Sequence, residues 1–333
     1  MQVIAGDIGG TNTRLVLAEI DESGRQILFE KSYRSTQYSD FFQVLKAFLS
    51  ESKSSLPVEA ACIAVAGPVR SGVVSVTNLP WVITEEQLHD VLETPHVVLI
   101  NDFVSVGYGI PLLDQSDVLT LQQGHADELE SVHHDVAVIG AGTGLGVSHL
   151  VWMEDSYQPQ SSEAGHVGFA PENSLQCELL AWLQKKYTHV SIEMLLSGAG
   201  LVRIYKFLHD IAGISQSSTI IEAMLDVDPA QVITEYALQE DDELCLKTLE
   251  LFIDIYGSVA GNVALHYYPI GDLYVAGGIA AKTSRKMADG RFIDAFLNKG
   301  KISPILKNIT VKVITQENVG LFGALAYATK ATL

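Results

Sequence analysis

The chain has 333 residues, enough for two domains, each with its own buried core. Hydrophobic residues make up 47% of it and charged residues 18%, which excludes a disordered chain. A formal net charge of -19 repels the phosphates of DNA and RNA and sets a nucleic-acid partner aside. A nucleotide remains admissible, because a cradle of backbone N–H groups with bound Mg2+ overrides the global field locally.

Taken in chain order, Val3–Ile8 is apolar and reads as a strand. Thr13–Ile20 alternates and is rich in β formers, and Gln26–Tyr33 follows the predicted turn Asp21-Glu22-Ser23-Gly24. Over Phe41–Ser50 the period changes to helical, with Phe41, Val44, Leu45, Phe48 and Leu49 on one face. Ala60–Val65 and Val97–Ile100 are apolar strands, and between them Thr84 is a predicted N-cap for a short helix. Ile110–His134 is polar, is punctuated by glycine after a proline, contains some strand-like residues and reads as the crossover between domains. Helices are predicted over Leu175–Tyr187, Gly200–His209, Pro229–Leu238 and Asp242–Tyr267. Leu273–Ala276 and Ile309–Ile314 return to strand, and Gly320–Ala328 forms a final helix of small residues. Strands alternating with helices imply a mixed α/β sheet covered by helices.

The early strand–glycine turn–strand of Val3–Leu17 has an echo at Val136–Val151, where Gly140-Ala141-Gly142-Thr143-Gly144 makes the turn. Two copies suggest a duplicated architecture, with two related domains facing each other across a cleft. Cys62, Cys177 and Cys245 are odd in number and contain no CxxC pair, so free thiols are expected rather than a disulfide framework or zinc site. No basic leader precedes Val3, and the apolar run Asp135–Val151 is interrupted by glycines and His149. The expectation is a soluble, cytoplasmic chain without a membrane partner.

Gly6-Asp7-Ile8-Gly9-Gly10-Thr11-Asn12-Thr13-Arg14 is the most informative string. Glycines bring backbone N–H groups close to an anion, Asp7 offers a carboxylate for Mg2+ through water, Thr11 and Asn12 offer short polar contacts, and Arg14 adds positive charge. GxxxxGK[ST] is absent, and a strand rather than a helix follows, so this is neither a P-loop nor a Rossmann fingerprint. Asn101-Asp102 ends a buried strand; Asp102 there suits a base for an attacking hydroxyl, with Asn101 bonding a neighbouring hydroxyl, while an N-cap for the segment from Phe103 is a compatible reading. Glu163 and His166 stand three residues apart in a turn, with Glu193 further on; carboxylates and imidazoles are common partners of sugar hydroxyls. His166 lacks nearby zinc partners, and Glu193 taken alone reads by default as an exposed helix-surface glutamate. Asn78 suits a substrate contact or an Asx turn. The Gly140–Gly146 turn is a candidate for the terminal phosphate, and Gly277-Gly278 after a buried strand leaves backbone open to an adenine ring.

Together GDIGGTNTR, TNLPW, INDF, GAGTGLGV, EAGH, HVSIE, LSGAGL and VAGGI resemble, in order, the bacterial glucokinase family, from Gly6 to the terminal Gly320-Leu321-Phe322-Gly323. The resemblance implies the two-domain actin-like, hexokinase-type (ribonuclease H-like) fold with an interdomain cleft, a small domain over 1–109 plus 315–333 and a large one over 110–314. It implies ATP-dependent phosphorylation of glucose with Mg2+, and a homodimer. It assigns Gly6–Thr11 and Thr143 to phosphate, Gly277 and Gly278 to adenosine, and Asp102 to the base. Asn101, Asp102, Glu163, His166 and Glu193 surround the sugar, with Gly142 lining it. Two departures stand out in Ser161-Ser162-Glu163-Ala164-Gly165-His166: the family pattern has a glycine on the N-terminal side of the glutamate and Gly-Gly before the histidine, and Ala164 is expected to stiffen the loop. A kinase for another hexose or an N-acetylhexosamine, or a non-catalytic sugar sensor of the same fold, fits the same motifs.

Overall fold

The computed structural model describes residues 1–21, 24–54, 56–124 and 133–330. Contacts divide the chain into two compact units: Met1–Asp114 with Met153–Ser161 and Asn318–Leu333, and Gln115–Trp152 with Ser162–Glu317.

In the first unit, β1 (Gln2–Ile8), β2 (Asn12–Asp21), β3 (Gly24–Arg34), β4 (Ala60–Val65), the short ribbon β5 (Val73–Ser75) and β6 (Val82–Thr84), and β7 (Val97–Asn101) follow in order. The main sheet runs β3-β2-β1-β4-β7, with β1 antiparallel to β2 and parallel to β4, and β4 parallel to β7. The two-residue period of the strands sorts the side chains. Ile4, Ile8, Leu15, Ile63 and Val65 face a core that Phe41, Val44, Leu45 and Phe48 of the helix Phe41–Ser52 complete. Leu49, predicted on that helical face, is only half-buried. On the other face Val3, Ala5, Ala60, Cys62 and Ala64 meet Leu321, Ala324, Leu325 and Ala328 of the helix Val319–Lys330. Thr84 caps its helix as predicted, accepting a hydrogen bond from Gln87 N.

Small residues on that second face let helices approach backbone to backbone. A Cβ on Gly323 would lie 1.8 Å from the carbonyl oxygen of Ser105, and one on Gly109 would lie 2.2 Å from that of Val319. The Ser105 hydroxyl donates to the Gly320 carbonyl at 2.6 Å in a buried setting. The helix Asp102–Gly109 is thereby locked to the last helix of the chain.

The second unit carries β8 (Val118–Gln122), β9 (Val136–Ala141) and β10 (Leu145–Met153); β11 (Ser156–Ser162) counts with the first unit through Ser161; β12 (Asp272–Ala276) and β13 (Thr310–Ile314) complete the strands. β9 is antiparallel to β10 and parallel to β12, β12 is parallel to β13, and β13 is antiparallel to β8. A hairpin followed by two parallel strands thus recurs: β2-β1-β4-β7 in one unit, β10-β9-β12-β13 in the other. The echo seen in the glycine turns extends to strand topology. A core of Ile139, Leu273, Val275, Val311 and Val313 packs with the long helix Glu243–His266, whose Phe252, Ile255 and Tyr256 are buried.

Glu22 and Ser23 of the predicted turn lie outside the described residues, as do 125–132 of the predicted crossover. The rest of that crossover holds 3-10 turns at Ile110–Leu112 and Gln115–Asp117 and then β8. Helices Ser218–Asp226, Gly278–Met287 and Arg291–Leu297 were not anticipated. None of them begins with a side-chain cap, two being preceded by Gly277 and Gly290, so the usual start signal is missing. Among the described residues, no helix is long and apolar enough to cross a membrane. All three cysteines are free, with Cys62 and Cys245 buried and Cys177 exposed.

Gly323→Ala forces the new methyl group against the Ser105 carbonyl. We expect a loss of about 1–3 kcal/mol of stability from overpacking, read as a lower urea midpoint. A wild-type midpoint would show that the two helices separate without cost.

Candidate active site

In the first unit the chemistry-bearing residues gather at the carboxyl ends of parallel strands β1, β4 and β7, the edge where open α/β sheets bind ligands. After β1, Gly9 N donates to Asn12 O at 2.9 Å and closes the turn. Buried Ser35 braces it, its N–H donating to Thr11 O at 3.0 Å and its hydroxyl to Gly9 O at 3.2 Å. Thr11 and Asn12 are exposed. None of Gly6, Gly9 and Gly10 is among the positive-φ glycines; what these positions require is close approach. A Cβ on Gly10 would lie 3.1 Å from Cβ of Asn78, which sets the exposed Asn78 against the turn. Gly6 lies inside β1, where a Cβ would meet Leu15 at 2.8 Å and Ile63 at 2.9 Å, and Ile8 is fully buried in the core. Both residues support the turn from below.

Asp7 pairs across the ladder with Arg14. Burial pushes the Asp7 carboxyl above its ordinary range, and the Arg14 guanidinium pulls it back down. Arg14 also donates from Nη1 to Asn318 Oδ1 at 3.0 Å.

The capping role at the end of β7 belongs to Asn101. Its Oδ1 accepts from Phe103 N at 2.9 Å and from Val104 N at 3.3 Å, while its Nδ2 donates to Gly67 O at 3.3 Å. That last bond ties the end of β7 to the loop after β4. Asp102 is left as the first helical residue, half-buried, with Oδ1 accepting from Phe103 N at 3.0 Å.

The second unit assembles its residues around the β9–β10 turn. Gly142 N donates to Gly144 O at 2.8 Å, and Gly142 O accepts from Gly198 N at 2.9 Å. Thr143 is exposed at the tip. Glu193 is drawn onto this turn, its Oε2 accepting from Leu145 N at 2.9 Å; a Cβ on Gly144 would sit 2.5 Å from that oxygen. His166 lies between two carboxylates, with Nδ1 3.9 Å from Glu193 Oε1 and Nε2 3.9 Å from Glu163 Oε2. The structure therefore brings Glu163, His166 and Glu193 together, with the side chains of Glu163 and His166 largely exposed. A Cβ on Gly165 would lie 2.3 Å from Leu145 O. Glycine is thus demanded at 165, whereas Ala164 keeps an ordinary backbone, so the departure at 164 is accommodated.

Gly277 has φ of +92°, and a Cβ there would lie 2.4 Å from Ala141 O. Gly278 opens the helix Gly278–Met287 and has nothing within 4 Å of where a Cβ would be. Sequence reasoning missed Tyr256. This fully buried phenol accepts from Ala141 N at 2.9 Å and has Ala276 O at 3.4 Å, so one hydroxyl bridges the ends of β9 and β12. Burial pushes its ionisation up, and it stays a neutral hydroxyl. The available signal was a phenol inside an apolar helix, where a buried O–H must find a partner.

Fold and site define a class, the sugar kinases with the two-domain actin-like, hexokinase-type fold. A family model described as Glucokinase matches residues 4–331. The glucokinase of Nostoc sp. is 41% identical over 98% of this chain and 99% of its own length, and that of Tolumonas auensis is 35% identical over 98% and 96%. A crystal structure of glucokinase from an Antarctic psychrotroph superposes with a TM-score of 0.80 at 32% identity, covering 99% of both chains. The chain belongs to the glucokinase family.

Tyr256→Phe removes the hydroxyl and strands a buried N–H at the root of the second glycine turn. A cost of about 1–3 kcal/mol is expected from the unsatisfied donor, together with a higher KM for ATP and a smaller change in KM for glucose. Equal changes in both constants would reduce Tyr256 to a general packing residue.

Proposed function

We propose that this protein transfers the γ-phosphoryl group of ATP to the 6-hydroxyl of glucose, with Asp102 as the base. The observation that carries the reading is the gathering of Gly9-Gly10, Asn78, Asn101 and Asp102 at one sheet edge. Family membership and the Glu163–His166–Glu193 cluster in the second unit accompany it. Phosphoryl transfer is governed by positioning and charge neutralisation. The Asp102 carboxylate takes the proton as the sugar oxygen bonds to phosphorus, the bond to the bridging oxygen breaks, and ADP leaves. Asn101, Glu163, His166 and Glu193 meet the other hydroxyls beside Gly142, so that a wrong epimer leaves polar groups unpaired.

On this reading the Gly6–Thr11 segment and Asn12 take one set of phosphate contacts, Arg14 adds charge, Thr143 takes another, and adenosine lies by Gly277 and Gly278. Asp7 fits Mg2+, which commonly rests on one or two carboxylates plus substrate phosphates. Its carboxyl is held above the ordinary range by burial, and a nearby cation relieves that penalty. Mg2+ neutralises charge on the phosphates when bound. A homodimer and a cytoplasmic location complete the proposal, on the pattern of the family.

Asp102→Asn keeps an acceptor for Phe103 N but loses the base. Turnover should fall by about two to four orders of magnitude, with ATP binding retained; near-normal turnover would refute the assignment. A coupled ADP assay over glucose, mannose, fructose and N-acetylglucosamine, with ATP or polyphosphate as donor, tests the substrate. Glucose with ATP should give the highest kcat/KM, and ADP release indifferent to sugar would overturn the kinase reading.

A further inference from the structure

On the second unit, two helices form a cationic groove that the phosphoryl-transfer reading does not use. The helix Gly198–Asp210 presents Ala199, Val202, Arg203 and Lys206 at the i, i+3, i+4 and i+7 positions of one face. The end of the helix Ser174–Gln184 supplies Trp182, followed by Lys185, Lys186 and Tyr187. They enclose a cavity of about 540 Å3 with an apolar floor and a basic rim, within the range of small-molecule sites. Four of the chain's 21 lysines and arginines converge here, on a protein of net charge -19. None of these four forms an ion pair with a carboxylate among the described residues. Two of them, Arg203 and then Lys186, lower the ionisation of the Tyr187 hydroxyl, and Arg203 also donates from Nη1 to Met194 O at 3.0 Å. Lys186 Nζ also lies 5.3 Å from the Tyr187 ring centroid.

Uncompensated cations gathered on an acidic protein make an anion-attracting spot, and the apolar floor requires a ligand with an apolar body. A symmetric second copy would set these lysines against their equivalents, which disfavours self-association through this face. We propose that the groove between Trp182 and Arg203 binds a small organic anion, with its apolar body against Trp182 and Val202 and its phosphate or carboxylate between Lys186, Arg203 and Lys206.

The test uses the intact protein and the probe anilinonaphthalene sulfonate, an apolar body carrying one anionic group, beside the uncharged N-phenylnaphthylamine. Saturable binding of the sulfonate is expected, with quenching of tryptophan emission that Trp182→Phe abolishes. Lys186→Gln with Lys206→Gln should weaken the sulfonate about fivefold, given the modest worth of exposed charge pairs, and leave the uncharged analogue unchanged. Glucose phosphorylation should persist in every variant, which certifies the fold. Equal affinity of wild type and the charge-neutralised variant for the sulfonate would overturn the proposal. So would capture of phosphatidylglycerol vesicles or polyglutamate that the sulfonate does not compete away, because the face would then serve a membrane or an acidic protein.

Discussion

The Ser105 hydroxyl reaches a carbonyl 215 residues away in sequence, at Gly320, and that bond is possible only because glycine occupies 323. A side chain at 323 would collide with the Ser105 backbone and push the last helix outward. Much depends on this contact. The helix held there begins at Asp102, and its N-terminus is fixed from the other side by Asn101, which caps it and bonds the loop after β4. Asp102 is therefore positioned by three separate stretches of chain. On the proposed function, a base that must stay within hydrogen-bond reach of one hydroxyl needs such rigidity.

The second unit solves the same problem with different atoms. It repeats the hairpin and two parallel strands, again with functional residues after the strand ends. Here the close approach is between Gly277 and Ala141, and the tie is the phenol of Tyr256. The hydroxyl meets a backbone N–H at the end of one strand and a carbonyl at the end of its neighbour. Glu193 then makes a double contribution. One carboxylate oxygen accepts from Leu145 N and fixes the turn, while the other faces His166.

Electrostatics divides the surface in a way that composition conceals. An acidic chain must draw anionic phosphates through local devices, and on the proposed function the first glycine turn with Arg14 is one of them. The basic rim around Trp182 and Tyr187 is a second positive locality, built from Arg203 and Lys206 of one helix and from Lys185 and Lys186 just after another. Its cations lack carboxylate partners among the described residues, whereas Arg291 and Lys299 in the same unit are paired with Asp254 and Glu172.

By itself the sequence determined β1–β4, β7, β9, β10, β12 and β13, the long helices, the duplicated glycine turns and the family, because each is written in short periods or contiguous motifs. It also named the polar residues now seen near one another in each unit, such as Glu163, His166 and Glu193. Only the tertiary structure decided the division of labour among them. That Asn101 and not Asp102 caps the helix, that Gly6 is a packing residue within β1, and that 165 rather than 164 must be glycine all depend on which distant atom comes within 3 or 4 Å. Tyr256 and Ser35 escaped notice for the same reason. Local spacing records what a residue can do, and contact between segments far apart in sequence selects which of those things it does.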